Sequence, residues 1–74
     1  MRELDTVVLT EDLPECGLRA GDIGTVVLVH AAGEAYEVEF ATLEGETVTV
    51  VTLDRGHTRP VRSREIAHAR AIAS

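Results

Sequence analysis

The stretch "GLRAGDIGTVV", residues 17–27, decides the fold. Gly21 and Gly24 stand either side of Asp22-Ile23, and a β-branched run starts at once after them. Glycine holds a positive φ without steric penalty, so Gly21 suits a sharp corner. The Asp22 carboxylate can accept bonds from nearby amides in such a turn. Gly24 falls inside the strand pattern, where a missing side chain marks the close approach of another backbone. The stretch therefore reads as a tight turn feeding a bent strand, and its glycines and aspartate (Gly21, Asp22, Gly24) are structural.

Working outward, four further runs read as strands. "DTVVLT" (5–10) is β-branched at most positions, with Val7 and Leu9 on one face and Thr6, Val8 and Thr10 on the other. "EDLPECGLRAG" (11–21) is a loop rich in Pro, Gly and charge, with Leu13 and Leu18 as its apolar anchors. "DIGTVVLVH" (22–30) is the second strand, and "AAGE" turns the chain. "AYEVEF" (35–40) alternates cleanly, Tyr36, Val38 and Phe40 inward and Glu37 and Glu39 outward. "ATLEGE" turns on Gly45, and "TVTVVTL" (47–53) follows with Val48 and Val50 predicted to face inward. "DRGHTRPV" holds a turn and a short fifth strand ending at Pro60 and Val61. Pro60 donates no N–H, which suits an edge. The remaining "SREIAHARAIAS" has Ser63 as an N-cap and a weak stripe of Ile66, Ala69, Ile72 and Ala73. The expectation is an all-β, small five-stranded SH3-like barrel over residues 1–62, then a C-terminal helical tail, 63–74, that docks or frays.

Seventy-four residues make one domain with one modest core. The lone Cys16 leaves no internal disulfide and fits a reducing, cytoplasmic setting. "MRELDTVV" turns charged immediately, which argues against a signal peptide, and the apolar stretch Val26–Val29 is far too short to span a bilayer. Charge is segregated. Residues 1–54 hold twelve Asp/Glu against Arg2 and Arg19; residues 55–74 hold Arg55, Arg59, Arg62, Arg64 and Arg70 against Glu65. An acidic body repels phosphate backbones, which argues against nucleic acid as the partner.

"VVLTEDLPECGLRAGDIGTVVLV", "YEVEFATLEGETVTVVTL" and "TRPV", in that order, resemble a family of short uncharacterised bacterial proteins catalogued as a domain of unknown function. The likeness covers roughly residues 4–61. It implies an SH3-like barrel, no particular activity, and association with other small bacterial proteins as in toxin–antidote or immunity pairs. The "GD-x-G-x-V" turn also resembles the KOW turn of ribosomal and transcription-elongation proteins. Those are basic around the turn, whereas Glu15, Arg19 and Asp22 surround it here. "GHTRP" (56–60) is similar to a stretch of the nitrile hydratase β subunit, but there it precedes the glycine turn and here it follows.

Catalytic chemistry finds no constellation. His30, His57 and His68 are scattered, without H-x-x-x-H or H-E-x-x-H spacing, so neither a metal nor any other cofactor is expected. Cys16 sits in the acidic "PEC", which disfavours a thiolate. Both aromatics face inward, leaving no stacking platform for single strands. Binding remains. The first reading is a non-enzymatic module using Glu11, Asp12, Glu15, Glu37 and Glu39 to recruit a basic protein partner, such as a toxin to which it is the antidote. The second is a KOW-like RNA- or ribosome-associated module using the C-terminal arginines. The third is an accessory domain of an enzyme. A small core with an apolar tail stripe also leaves homo-oligomerisation open.

Overall fold

In the computed structural model, which describes residues 2–72, five antiparallel strands form one sheet. They are β1 (Thr6–Leu9), β2 (Ile23–Val29), β3 (Ala35–Ala41), β4 (Thr47–Asp54) and β5 (Thr58–Pro60). Across the sheet they stand β4-β3-β2-β1-β5. The sheet is open. β4 and β5 are its two edges and no ladder joins them, so the closed barrel expected from the strand count is not formed. Pro60 lies on the β5 edge, opposite Val7, where its missing N–H leaves no gap in a second ladder.

One face carries the core. Val7 and Leu9 of β1, Val26 of β2, Tyr36, Val38 and Phe40 of β3 and Leu53 of β4 are buried together, with Leu18 from the long loop. The alternation of "AYEVEF" is realised residue by residue: Tyr36, Val38 and Phe40 inward, Glu37 and Glu39 on the other face. β4 is read one residue out of phase by its sequence. Val51 and Leu53 turn toward the core, and the supposedly inward Val48 and Val50 are exposed. A shift of register at Phe40/Ala41 precedes this, and the Val50-Val51 doublet lets the strand satisfy either phase.

The long loop is stitched to itself and to β1. Leu13 and Leu18 exchange backbone bonds (3.0 and 3.1 Å) around a 3₁₀ turn at Pro14–Cys16. Cys16 in that turn packs against the core's edge. Gly21 N–H donates to the Leu9 carbonyl (2.7 Å) and Leu9 N–H to the Asp22 carbonyl (2.8 Å), closing the corner onto β1. Gly21 has φ +95, and a Cβ there meets nothing within 4 Å. Its requirement is thus purely one of backbone conformation. Gly21→Val is expected to destabilise by about 1–3 kcal/mol, the penalty for a β-branched residue in that region. A melting temperature equal to wild type in a circular-dichroism melt would contradict this.

The tail is not a helix. Ser63–Arg64 form a single turn, and from Glu65 to Ile72 the chain has no regular structure; Ala73, assigned to the apolar stripe, lies outside the described residues. The physical reason is that an isolated helix this short is marginal, while its charged side chains find partners on the sheet. The Arg62 N–H donates to Glu65 Oε1 (2.7 Å), and Ile66, the first residue of the expected stripe, is 95% exposed.

Candidate functional site

The face of the sheet opposite the core mixes acid and hydrocarbon. Glu39 stands directly between Thr25 and Val50, and Glu37 between Leu28 and Thr52. Directly opposed residues share a face, so these side chains form one surface. Alternation along β2 and β4 adds Ile23 and Val48 to it. Leu28 is 45% exposed, Val50 50% and Ile23 43%. The carboxylates are held in place: Glu37 Oε2 accepts from Thr52 Oγ1 (2.7 Å) and lies 2.6 Å from His30 Nε2, and Glu39 Oε2 accepts from Thr47 Oγ1 (2.5 Å). The hydrogen bond from His30, then that from Thr52, keeps the Glu37 carboxyl below the usual range, so it is anionic at neutral pH.

The loop carboxylates have three different situations. Glu11 Oε1 lies 2.6 Å from His57 Nε2. Asp12 Oδ1 accepts the Ala20 N–H (2.9 Å) and so staples the loop across its width. Glu15 projects into solvent from the 3₁₀ turn. Glu37 and Glu39 thus share the outer face of the sheet, whereas Glu11, Asp12 and Glu15 belong to the long loop.

Three pairings are invisible in the sequence pattern. Arg59 makes a two-pronged ion pair with Glu65 (2.8 and 2.5 Å). Arg70 does the same with Asp22 (2.9 and 2.5 Å) and also donates to the Gly17 carbonyl (3.1 Å). The arginines hold both acids down: Glu65 reaches about 2 through Arg59 and the Arg62 N–H, and Asp22 is lowered chiefly by Arg70. The tail is therefore anchored at β5 and again at the β2 corner. Arg59, Val8 and Ile23 are in register on one face, so the two anchors bracket Val8, which is 6% exposed although it lies outside the core cluster.

The third pairing surrounds His57. Its Nδ1 lies 2.6 Å from Asp54 Oδ1 while its Nε2 faces Glu11, so each ring nitrogen meets a carboxylate. Thr10 reinforces the junction, its N–H donating to the His57 carbonyl (2.8 Å) and its Oγ1 to the Gly56 carbonyl (3.1 Å). Two acceptors require two N–H donors, which favours the imidazolium. The bond to Asp54 is the main cause that raises His57 above its ordinary 6.5, and the same bond lowers Asp54 below its ordinary 3.8. A raised folded value gives stabilisation that is complete below 6.5 and lost as pH rises through the folded value. A lowered one gives stabilisation present above 3.8 and lost as pH falls. The clamp thus acts most strongly between these limits. The melting-temperature gap between wild type and His57→Asn is expected to be widest below pH 6.5 and to narrow as pH rises past it. A gap that stays constant from pH 5 to 8 would refute the clamp.

No three His, Cys, Asp or Glu side chains among the described residues gather as a metal site, and no described helix is long and apolar enough to cross a membrane. The arrangement is one of charge and apolar area presented on one face of the sheet. No curated protein and no solved structure matches the chain. One family does match, over residues 3–60, a span running from just before β1 to the last residue of β5. It takes in both glycines of the β2 corner and the whole sheet. The chain belongs to the family described as "Domain of unknown function (DUF4926)".

Proposed function

We propose that this protein is a non-enzymatic module, acting in the cytoplasm, that binds a basic protein, in the manner of an antidote to a basic toxin. We read its sheet as an SH3-like scaffold, a reading supported by the strand order and by the long loop between β1 and β2. The observation that carries the functional reading is the outer face: Glu37 and Glu39, positioned by Thr52 and Thr47, set among the exposed Leu28, Val48 and Val50. A merely solvated face has no need of that hydrocarbon, whereas a binding face uses it for burial and the acids for orientation. The alternative of nucleic-acid binding needs free arginines. Of the cluster Arg55, Arg59, Arg62 and Arg64 on which that alternative rests, Arg59 is committed to Glu65, and Arg70 farther along the tail is committed to Asp22.

The test is charge reversal. Glu37→Lys with Glu39→Lys is expected to lower the melting temperature by only a few degrees, since exposed polar contacts of this kind contribute little. Association with the basic partner, recovered by co-purification from the native host, is expected to slow by about tenfold or more at low salt. An unchanged association rate would sink the acidic-face reading. A salt-sensitive sub-micromolar complex with short RNA would put the arginine-based reading in its place.

A further inference from the structure

The tail lies in a trough. One cavity, of about 470 Å³, runs between Ala67–Ile72 and the β3–β4 hairpin, over Ile23, Phe40, Leu43 and Val48. A second, of about 400 Å³, opens on the other side toward Asp12, Pro14 and Arg19 of the long loop. Leu18, Arg70 and Ala71 line both. Arg70 and Ala71 of the tail are thus a wall shared by the two cavities, with Leu18 of the long loop as the body's side of both. At that wall the Asp22 carboxylate and the Gly17 carbonyl receive a guanidinium, three acceptor contacts that fit the planar fork of arginine and not a lysine ammonium. Ala67, Ala69 and Ala71 line the first cavity on either side of the arginine.

The segment seated there is tied by side chains alone. No strand pairing includes residues 61–72, and the tail's own backbone bond, Glu65 N–H to the Arg62 carbonyl (3.3 Å), does not reach the sheet. A segment so held can leave without disturbing any ladder, since the core and every strand are formed by residues 6–60.

We propose that this trough is a docking site for an extended segment of the basic partner, an arginine flanked by small apolar residues, and that Ala67–Ile72 is its intramolecular placeholder. The inference deepens the protein-binding reading above and rests on it: the body's acidity recruits the partner, and the Asp22–Gly17 acceptor pair reads one arginine. A tethered competitor acts at an effective concentration of about millimolar, so the incoming segment binds weakly until the tail is displaced.

The experiment uses full-length protein and a synthetic end-blocked peptide of residues 64–72, REIAHARAI, followed by amide NMR shifts. Arg70→Glu sets two carboxylates against each other and is expected to free the tail, shifting the amides of residues 66–72 and of Gly17, Leu18, Gly21 and Ile23 beneath it, while leaving the rest of β1 to β4 in place. The peptide is then expected to bind Arg70→Glu at least tenfold more tightly than wild type, shifting Gly17, Leu18, Gly21 and Ile23. Asp22→Asn added to Arg70→Glu, or alanine at the peptide's second arginine, is expected to abolish that binding. Arg70→Ala, which adds no new charge, gives the same ranking if Arg70→Glu folds poorly. Equal binding to wild type and variant, no binding to either, or shifts mapping to Glu37 and Glu39 overturns the proposal. So does a wild-type dimer by sedimentation with exchanged tails, which would make a second copy the occupant. No natural partner enters this assay, so its failure leaves the charge-reversal test of the outer face standing.

Discussion

Tyr36→Ala is expected to leave the chain unfolded at 25 °C. Tyr36 is the largest of the fully buried side chains, 2% exposed, and the second residue of β3. Its strand partners are Val29 on β2 and Leu53 on β4, so its ring bridges three strands of the core face. Truncating a buried aromatic to alanine costs about 3–5 kcal/mol, the lost transfer energy plus the cavity left behind. A single core in a chain of this size supplies only about 3–5 kcal/mol in all. The two quantities are equal, which is why this substitution decides folding and does not merely weaken it. Tyr36→Phe keeps the ring volume and is the control, expected to melt within a few degrees of wild type. Far-ultraviolet circular dichroism and amide dispersion report both. A cooperative Tyr36→Ala melt at or above 45 °C would mean that the core does not depend on this ring.

Gly24→Val is expected to have the second-largest effect, for the opposite reason. A Cβ at Gly24 falls 2.6 Å from Val38 Cγ1, 2.9 Å from Phe40 Cε1 and 3.1 Å from the Glu39 carbonyl oxygen. The first two atoms belong to buried core residues and the third to backbone, so relief requires the sheet itself to move. Gly24→Ala therefore costs about 1–3 kcal/mol by overpacking, and the two further methyls of valine exceed what a marginal domain can absorb. In a domain this small each kcal/mol shifts the midpoint by about 4–8 °C, so the alanine variant is measurable and the valine variant unfolds. If Gly24→Val melted no lower than Gly21→Val, the close approach of β2 to β3 at this point would not be what constrains the position.

Period and glycine chemistry were legible because both are local. "AYEVEF" leaves one phase for its strand, and the two glycines of the β2 corner have distinct local reasons, φ at Gly21 and contact at Gly24. The phase of β4 is ambiguous because "TVTVV" offers β-branched residues in both phases; only Leu53, at its far end, breaks the tie. The tail departs from its local pattern for a longer-range reason. Helix propensity in "SREIAHARAI" is real, but Glu65 reaches back six residues to Arg59, and Arg70 spans 48 to Asp22. Neither partner lies within the window that propensity sees. The segregation of twelve acids in the first 54 residues from five arginines in the last twenty is plain in the sequence, but its reading concerns partners and not the path of the tail. It could not say which acid would take which arginine. The same holds for the candidate site: the five carboxylates are visible as residues, but Glu11's engagement with His57 and Asp12's with Ala20 appear only once the loop is closed.

The open sheet has one consequence for how the molecule behaves in a crowd. β4 is eight residues long and stands at the end of the strand order, so one row of its N–H and C=O groups has no neighbour. Its first seven residues, "TVTVVTL", contain neither charge nor proline and are strongly β-forming, the profile of a template for cross-β growth. What flanks them is Glu44 and Glu46 before and Asp54 after, all exposed. These acids are gatekeepers: two edges brought together meet like charges at both ends. Their protection is only as good as their charge. Were Glu44, Glu46 and Asp54 replaced by their amides, the repulsion would go while the backbone template stayed, and stacking of β4 on β4 is the expected route of loss from solution.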